Sequence, residues 1–128
     1  MHPANRVLKT YQMAQNAAPP LQAVIQLYDG ILVRISRAII ANRNNDYERQ
    51  FNEVMSAVKI VDGLNRNLDM KSGGQVALSI RDFYESIGTG LLRSTGRRYG
   101  AEYLEGLSLA VRNMRNAWAT IAESHPLH

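Results

Sequence analysis

The longest apolar stretch of the chain covers residues 21–40 and reads LQAVIQLYDGILVRISRAII. Apolar side chains recur there at steps of three and four residues, and further apolar side chains widen the stripe on both flanks. This spacing predicts a helix with an unusually broad apolar surface, which is typical of the central helix of a small bundle. The stripe consists of Leu21, Val24, Ile25, Tyr28, Ile31, Leu32, Ile35 and Ile39, flanked by Leu27, Val33, Ala38 and Ile40.

A second helix of about 23 residues is predicted after an Asn-rich loop. Asn45 is the predicted N-cap residue, with Glu48 as its capping-box partner. The helix is predicted to end at Ser72-Gly73-Gly74, because glycine readily adopts the positive φ angles of a sharp chain reversal. Its stripe is Tyr47, Phe51, Val54, Val58, Val61, Leu64 and Leu68.

Two further helices are predicted over residues 75–94 and 101–123. Gly88 and Gly90 interrupt the first of these, and each costs up to about 1 kcal/mol relative to alanine in a helix interior. They have two interpretations: close approach of a neighbouring helix or loop, which we favour, or a shallow groove for a ligand chain. The stripes are Val76, Ile80, Phe83, Tyr84, Ile87 and Leu91, then Tyr103, Leu104, Leu107, Ala110, Val111, Met114, Ala117, Trp118 and Ile121.

These patterns predict an all-α protein, an antiparallel four-helix bundle with a short N-terminal helical or extended segment. Period-two alternation and Asn-Gly or Asp-Gly hairpin turns between β-branched runs are absent, and Asp29-Gly30 lies inside a helical pattern, so no strand is expected. With 128 residues, the chain is long enough for one domain with its own core. We expect a single domain over residues 1–128, with the bundle at 20–123 and an N-terminal segment at 1–19 that is either docked or mobile.

The composition indicates a soluble protein, with 45% hydrophobic and 20% charged residues. Gln26, Asp29, Arg34 and Arg37 break the richest apolar stretch, which argues against a membrane span. The first ten residues lack the apolar core of a secretory signal, and the sequence has no cysteine. A cytoplasmic location is therefore expected.

The net charge of +4 and the pI near 9.7 raise the question of nucleic-acid binding. The cations are scattered except for Arg97-Arg98, and no glycine-rich loop or aromatic-basic alternation accompanies them. A solvated basic surface is the favoured interpretation, and no nucleic-acid partner is expected. The alternative function is a helical adaptor or regulator that associates with nucleic acid through Arg93, Arg97 and Arg98.

The side chains that usually carry catalysis or bind metal are scarce. Histidine occurs only at positions 2, 125 and 128, and the E-x-x-H pairs of di-iron bundles are absent from the predicted helices. We therefore expect no enzyme activity, no metal and no cofactor. Asp29 lies within the most apolar helix, and a cap or hydrogen bond to the N-terminal segment is favoured there over catalysis.

Several short motifs occur together in one order along the chain. Tyr11-Gln12 is followed by a proline, LYDG at 27–30, LD-x-x-x-GG at 68–74, Phe83-Tyr84, and MRNAW at 114–118. In this combination and order, the sequence resembles the FliS-type flagellar export chaperones, over about residues 11–118. The Asn16-to-Pro20 lead-in and the basic charge depart from the usual family pattern.

The resemblance implies a cytoplasmic helical chaperone that binds the C-terminal segment of flagellin and prevents its premature polymerisation. It also implies delivery of flagellin to the flagellar type III export apparatus, with apparatus components or regulators as further partners. Whether the chain is a monomer or a weak homodimer stays open. The client-binding groove would include Leu27, Tyr28, Ile31, Phe83, Tyr84 and Leu91, and a self-blocking N-terminal segment would include Val7, Leu8 and Tyr11.

Overall fold

Four long helices make up almost all of the described chain. The computed structural model describes residues 21–95 and 100–124, and no strand occurs among them. The helices are α1 (Leu21–Arg43), α2 (Tyr47–Arg66), α3 (Met70–Arg93) and α4 (Ala101–Ser124). The predicted all-α four-helix bundle is confirmed, whereas the predicted N-terminal segment lies outside the described residues.

The helices follow one another around the bundle in chain order. The pairs α1–α2, α1–α4 and α2–α3 pack extensively, whereas α3 and α4 contact each other sparsely. Helices α1 and α3 therefore face each other across a diagonal of the bundle. Helix α1 buries a broad face, but Val33 and Ile40 on its outer side are 47% and 56% exposed. Its neighbours thus leave part of its apolar surface uncovered.

Two tyrosines meet in the middle of the core. The Tyr28 hydroxyl of α1 donates a hydrogen bond to the Tyr84 hydroxyl of α3 at 2.9 Å, and the ring centroids are 6.1 Å apart. Both side chains are almost fully buried, so each hydroxyl needs a partner inside the protein. The other large side chains with less than 2% exposure are Trp118, Ile31, Ile35, Ile80, Leu91, Leu104, Val24, Val54, Val61 and Val111.

The turn between α1 and α2 differs from the sequence prediction. Asp46, not Asn45, is the N-cap residue of α2, and its Oδ1 accepts a hydrogen bond from the Arg49 N–H at 3.2 Å. Asn45 adopts a φ of 57°, the left-handed conformation that asparagine tolerates better than most residues. The predicted Asn45–Glu48 capping box is therefore wrong by one residue, because two adjacent residues were each capable of capping.

The turn between α2 and α3 also falls earlier than predicted. Helix α2 ends at Arg66, and Asp69 caps α3 by accepting a hydrogen bond from the Ser72 N–H at 3.0 Å. That bond lowers the pKa of the Asp69 carboxyl. Gly74 has the expected positive φ of 56°, but it forms a kink after the first turn of α3 and does not reverse the chain.

A chain of side-chain hydrogen bonds joins all four helices at one end of the bundle. The Asn42 Nδ2 of α1 donates to Gln50 Oε1 of α2 at 3.1 Å, and Asn42 Oδ1 accepts from the Ala101 N–H of α4 at 3.2 Å. Gln50 Nε2 donates to the Ser94 carbonyl at the end of α3 at 3.1 Å. Gln50 is only 4% exposed, so its bonds replace water that cannot reach it.

Replacing Gln50 with alanine should destabilise the bundle by about 2 kcal/mol, because two hydrogen bonds are lost at a buried position. Urea unfolding measures this change in the free energy of unfolding. Gln26→Ala, at an exposed position of α1, is the matched control and should change stability by less than about 0.5 kcal/mol. Equal effects of the two substitutions would show that the hydrogen-bond chain does not stabilise the bundle.

Stability at high pH should report on Tyr84. Burial raises the pKa of Tyr84 to about 12, partly opposed by the hydrogen bond from Tyr28. The unfolded chain ionises this hydroxyl near about pH 10, so stability is complete below that pH and falls as pH rises through 10 to 12. At pH 11 the expected loss is about 1.4 kcal/mol relative to pH 8.

The Tyr84→Phe variant provides the reference for this measurement, because it keeps the ring and removes the titrating hydroxyl. At pH 8 the variant should be less stable by about 1 kcal/mol, owing to the lost hydrogen bond. That difference should shrink or reverse by pH 11 in parallel urea unfolding experiments. A difference that stays constant between the two pH values would contradict the proposed ionisation.

Candidate functional site

The six residues that the resemblance assigns to a binding groove occupy different environments. Tyr28, Ile31, Tyr84 and Leu91 are core residues with exposures of 1% or less. Leu27 is 36% exposed, and Phe83 is half-buried against Tyr84 with ring centroids 5.9 Å apart. Four of the six therefore support the bundle from inside. The self-blocking residues Val7, Leu8 and Tyr11 lie outside the described residues.

The two residues that retain exposed surface lie on different sides of the bundle. Leu27 is one helical turn before Gly30, whose position faces Ile60 of α2. Phe83 is two turns before Gly90, whose position faces Leu107 of α4. The predicted groove residues therefore do not line one continuous surface.

A half-buried apolar row does follow the junction of α3 and α4, which we call the α3–α4 seam. Its members pack against the core on one side and keep part of their surface exposed, because these two helices contact each other so little. They repeat at helical spacing on facing edges of the two helices. The seam consists of Val76 and Phe83 on α3 and of Tyr103, Leu107, Ala110, Met114 and Ile121 on α4.

A cleft of about 350 Å³ opens at the end of this seam where α3 finishes and α4 begins. Gly90 lies at its floor, where an added Cβ would be 2.7 Å from Leu107 Cδ2 and 3.5 Å from the Tyr103 hydroxyl. The close-approach interpretation of Gly90 is thus confirmed, and the same position also borders a cleft. The lining residues are Glu85, Ser86, Thr89, Gly90, Arg93, Tyr103 and Leu107.

Two exposed charged residues, Glu85 and Arg93, are among those that line the cleft. Glu85 lies 3.8 Å from Arg81 in an exposed i,i+4 pair, which contributes little binding energy. Arg93 is exposed and forms no ion pair with a described residue. The interior of the seam is therefore suited to apolar side chains of a ligand, with polar contacts at its rim.

Asp29 has a clear structural role. Its carboxylate accepts two hydrogen bonds from Arg115 of α4, from Nε at 2.9 Å and from Nη2 at 3.3 Å, and it raises the pKa of that guanidinium. The N-terminal segment, which was the expected partner of Asp29, lies outside the described residues; among the described residues the partner of Asp29 is Arg115 of α4. The bidentate pair links α1 to α4.

The described residues show no group of three or more acidic or histidine side chains that could hold a metal ion. Within residues 21–95 and 100–124, no helix combines the length and apolarity needed to cross a membrane.

Comparison with known proteins identifies the relatives of this bundle. The family model described as "Flagellar protein FliS" matches residues 3–125. The chain belongs to the FliS family. The flagellar secretion chaperone FliS of Salmonella typhimurium is 27% identical to this chain over 112 residues. That alignment covers 87% of this chain and 82% of the Salmonella protein.

Sequence reasoning missed the α4 half of the seam in this FliS-family protein. The sequence pattern fits a core stripe at Tyr103, Leu107, Ala110 and Met114. Periodicity alone cannot reveal that the facing helix leaves these side chains half-exposed. One available signal was Gly90, for which a ligand groove was the less favoured interpretation. The groove interpretation of Gly90 would have directed attention to Tyr103 and Leu107, the residues of α4 that face it.

The close contact at Gly90 can be tested with two alanine substitutions. At Gly63, inside α2, an added Cβ meets nothing within 4 Å, so Gly63→Ala should stabilise the bundle by about 0.5–1 kcal/mol. Gly90→Ala should stabilise less or destabilise, because Leu107 must shift. Thermal and urea unfolding measure both variants. An equal gain at the two positions would contradict the local close contact between Leu107 and the Gly90 position.

Proposed function

We propose that this protein is an export chaperone for flagellin, and that the α3–α4 seam binds the flagellin C-terminal segment. Family membership supports this proposal, because a FliS protein with 27% identity bears the name flagellar secretion chaperone. In this proposal the complex keeps flagellin from polymerising early and assists its delivery to the flagellar type III export apparatus. The protein acts without catalysis and in the cytoplasm.

The seam provides a physical reason for this activity. A client segment that is disordered when free pays an entropy cost on ordering, which burial of apolar surface must offset. The half-buried side chains of the seam offer such surface, at about 25 cal/mol for each Å² removed from water. An amphipathic helix with apolar residues three and four positions apart fits the spacing of the α3 and α4 rows.

The residues assigned by resemblance enter this proposal in two groups. Phe83 contacts the client directly within the seam, while Tyr84 and Leu91 hold α3 in place from the core. On α1, Tyr28 and Ile31 have the same supporting role, whereas Leu27 lies away from the seam and is not part of the proposed client site. For the alternative of a nucleic-acid-associated adaptor, no specific observation among the described residues offers support.

A tryptophan placed at the mouth of the cleft should obstruct the client. Thr89 is exposed and lines the cleft, so Thr89→Trp should weaken the binding of full-length flagellin by about tenfold or more. Asn113→Trp is the matched control, since Asn113 is exposed on α4 and does not line the cleft. Isothermal titration calorimetry with flagellin, and with flagellin lacking its C-terminal segment, measures the affinities.

The possible results of this experiment test the chaperone function and the location of the client site separately. Absence of any complex with full-length flagellin would overturn the chaperone proposal. Binding that requires the C-terminal segment but is equally strong in the Thr89→Trp and Asn113→Trp variants would retain the chaperone function and exclude the cleft. Circular dichroism should show that both variants remain folded helical bundles, which makes the comparison of their affinities valid.

A further inference from the structure

A second concave surface lies on the outside of the bundle, where α1 and α2 meet. This concavity, the α1–α2 pocket, has a volume of about 180 Å³ and is lined by Arg37, Ile40, Ala41, Asn44, Asp46 and Arg49. Ile40 contributes apolar surface with 56% exposure. Val33, two helical turns earlier on the same face of α1, is 47% exposed and extends the apolar surface along the helix.

Two cations from different helices flank this apolar surface. Arg37 of α1 and Arg49 of α2 are both exposed, and neither forms an ion pair with any described residue. Two other arginines of α1 do have partners, since Arg34 pairs with Glu53 at 3.1 Å and Arg43 pairs with Glu105. The two arginines at the pocket are therefore available to an external anion.

The carboxylate that lines the pocket, Asp46, is already engaged by the fold. Its Oδ1 accepts the hydrogen bond from the Arg49 backbone N–H, and the carboxylate lies at the positive end of the α2 helix dipole. Against this single carboxylate, the two arginines leave the pocket lining with a formal net charge of +1. The remaining field of the pocket favours an acidic ligand.

The pocket lies on the side of the bundle opposite the α3–α4 seam. Because the helices follow chain order around the bundle, the outer face of the α1–α2 pair points away from the α3–α4 pair. A ligand in the α1–α2 pocket therefore does not compete for space with a ligand in the seam. This separation makes the pocket independent of the proposed client site.

We propose that the α1–α2 pocket is a docking site for an acidic amphipathic helix of another protein. Val33 and Ile40 are seven residues apart, about 10.5 Å along α1, which matches apolar residues at i and i+7 of a partner helix. Carboxylates beside that apolar row pair with Arg37 and Arg49, whose guanidinium groups bind carboxylates bidentately. Two cations around an aliphatic surface suit this ligand better than nucleic acid, which requires many phosphate contacts.

A selection experiment defines the ligand without assuming its sequence. A phage-displayed library of single amphipathic helices, with one face fully randomised, is selected on the full-length protein. Counter-selection on the Arg37→Gln/Arg49→Gln variant removes helices that bind without these two arginines. Enriched helices should carry apolar residues at i and i+7 with flanking aspartate or glutamate. Enrichment without an excess of acidic residues would overturn the proposal.

The most enriched peptide is then compared with a twin in which each acidic residue is replaced by its amide. The acidic peptide should bind the wild-type protein about tenfold more tightly than its twin, with affinity that falls as salt rises. Arg37→Gln/Arg49→Gln should lose about tenfold in affinity. The control Lys59→Gln/Arg66→Gln removes the same charge from exposed positions on α2 outside the pocket and should lose less than about twofold.

Two further readouts distinguish specific docking from general charge attraction and from nucleic-acid binding. Flagellin affinity should be the same in the wild type and in Arg37→Gln/Arg49→Gln, since the seam lies on the opposite side. Equal losses of peptide affinity in the two charge variants would show general attraction to a basic protein and overturn the proposal. Preference of the pocket for a DNA duplex over the acidic peptide, with a steep salt dependence, would also overturn it.

Discussion

The hydrogen bond between Tyr28 and Tyr84 is the constraint on which the arrangement of the bundle depends. Two phenol hydroxyls in an apolar core must find partners, and these two meet across the α1–α3 diagonal. Helix α3 is therefore held to α1 and packs on α2, while its contact with α4 stays sparse. The half-buried apolar row of the α3–α4 seam lies along this sparse contact.

The Asn42–Gln50 hydrogen-bond chain complements the tyrosine pair. It ties the ends of all four helices together near the cleft, so the seam is open along a bundle whose helix ends are anchored. Asp29 and Arg115 add a second link between α1 and α4 along the length of the bundle. A ligand can therefore add apolar contacts to the seam without opening the core, which limits the ordering cost to the ligand itself.

The sequence predicted the helices well but did not show which side chains keep exposed surface, for one physical reason. Helical periodicity identifies which residues share a face, so α1 and α4 were located to within three residues. It does not say which neighbour covers that face or how closely, and Tyr28, Ile31, Tyr84 and Leu91 consequently belong to the core and not to an open groove. The Asp29–Arg115 pair spans 86 positions, beyond any local pattern. The predicted ends of α2 were displaced because neighbouring residues carry similar signals. Asn45 and Asp46 can both cap a helix, and Asp69 and Gly74 can both mark a helix boundary.

The apolar surface of α1 is broad for two separate reasons. One part packs against the other helices and consists of the buried side chains Val24, Ile25, Tyr28, Ile31, Ile35, Ala38 and Ala41. The other part, at Val33 and Ile40, stays exposed beside two arginines that have no ion-pair partner among the described residues, and it does not contribute to the core. Aliphatic surface that stays in water contributes nothing to folding, whereas a docked partner would bury it, so its position next to these arginines favours contact with a partner. Because the rigid core separates this surface from the α3–α4 seam, occupancy of one should alter the other only weakly. The two proposed sites can therefore be occupied at the same time, a client segment in the seam and an acidic helix on the α1–α2 face.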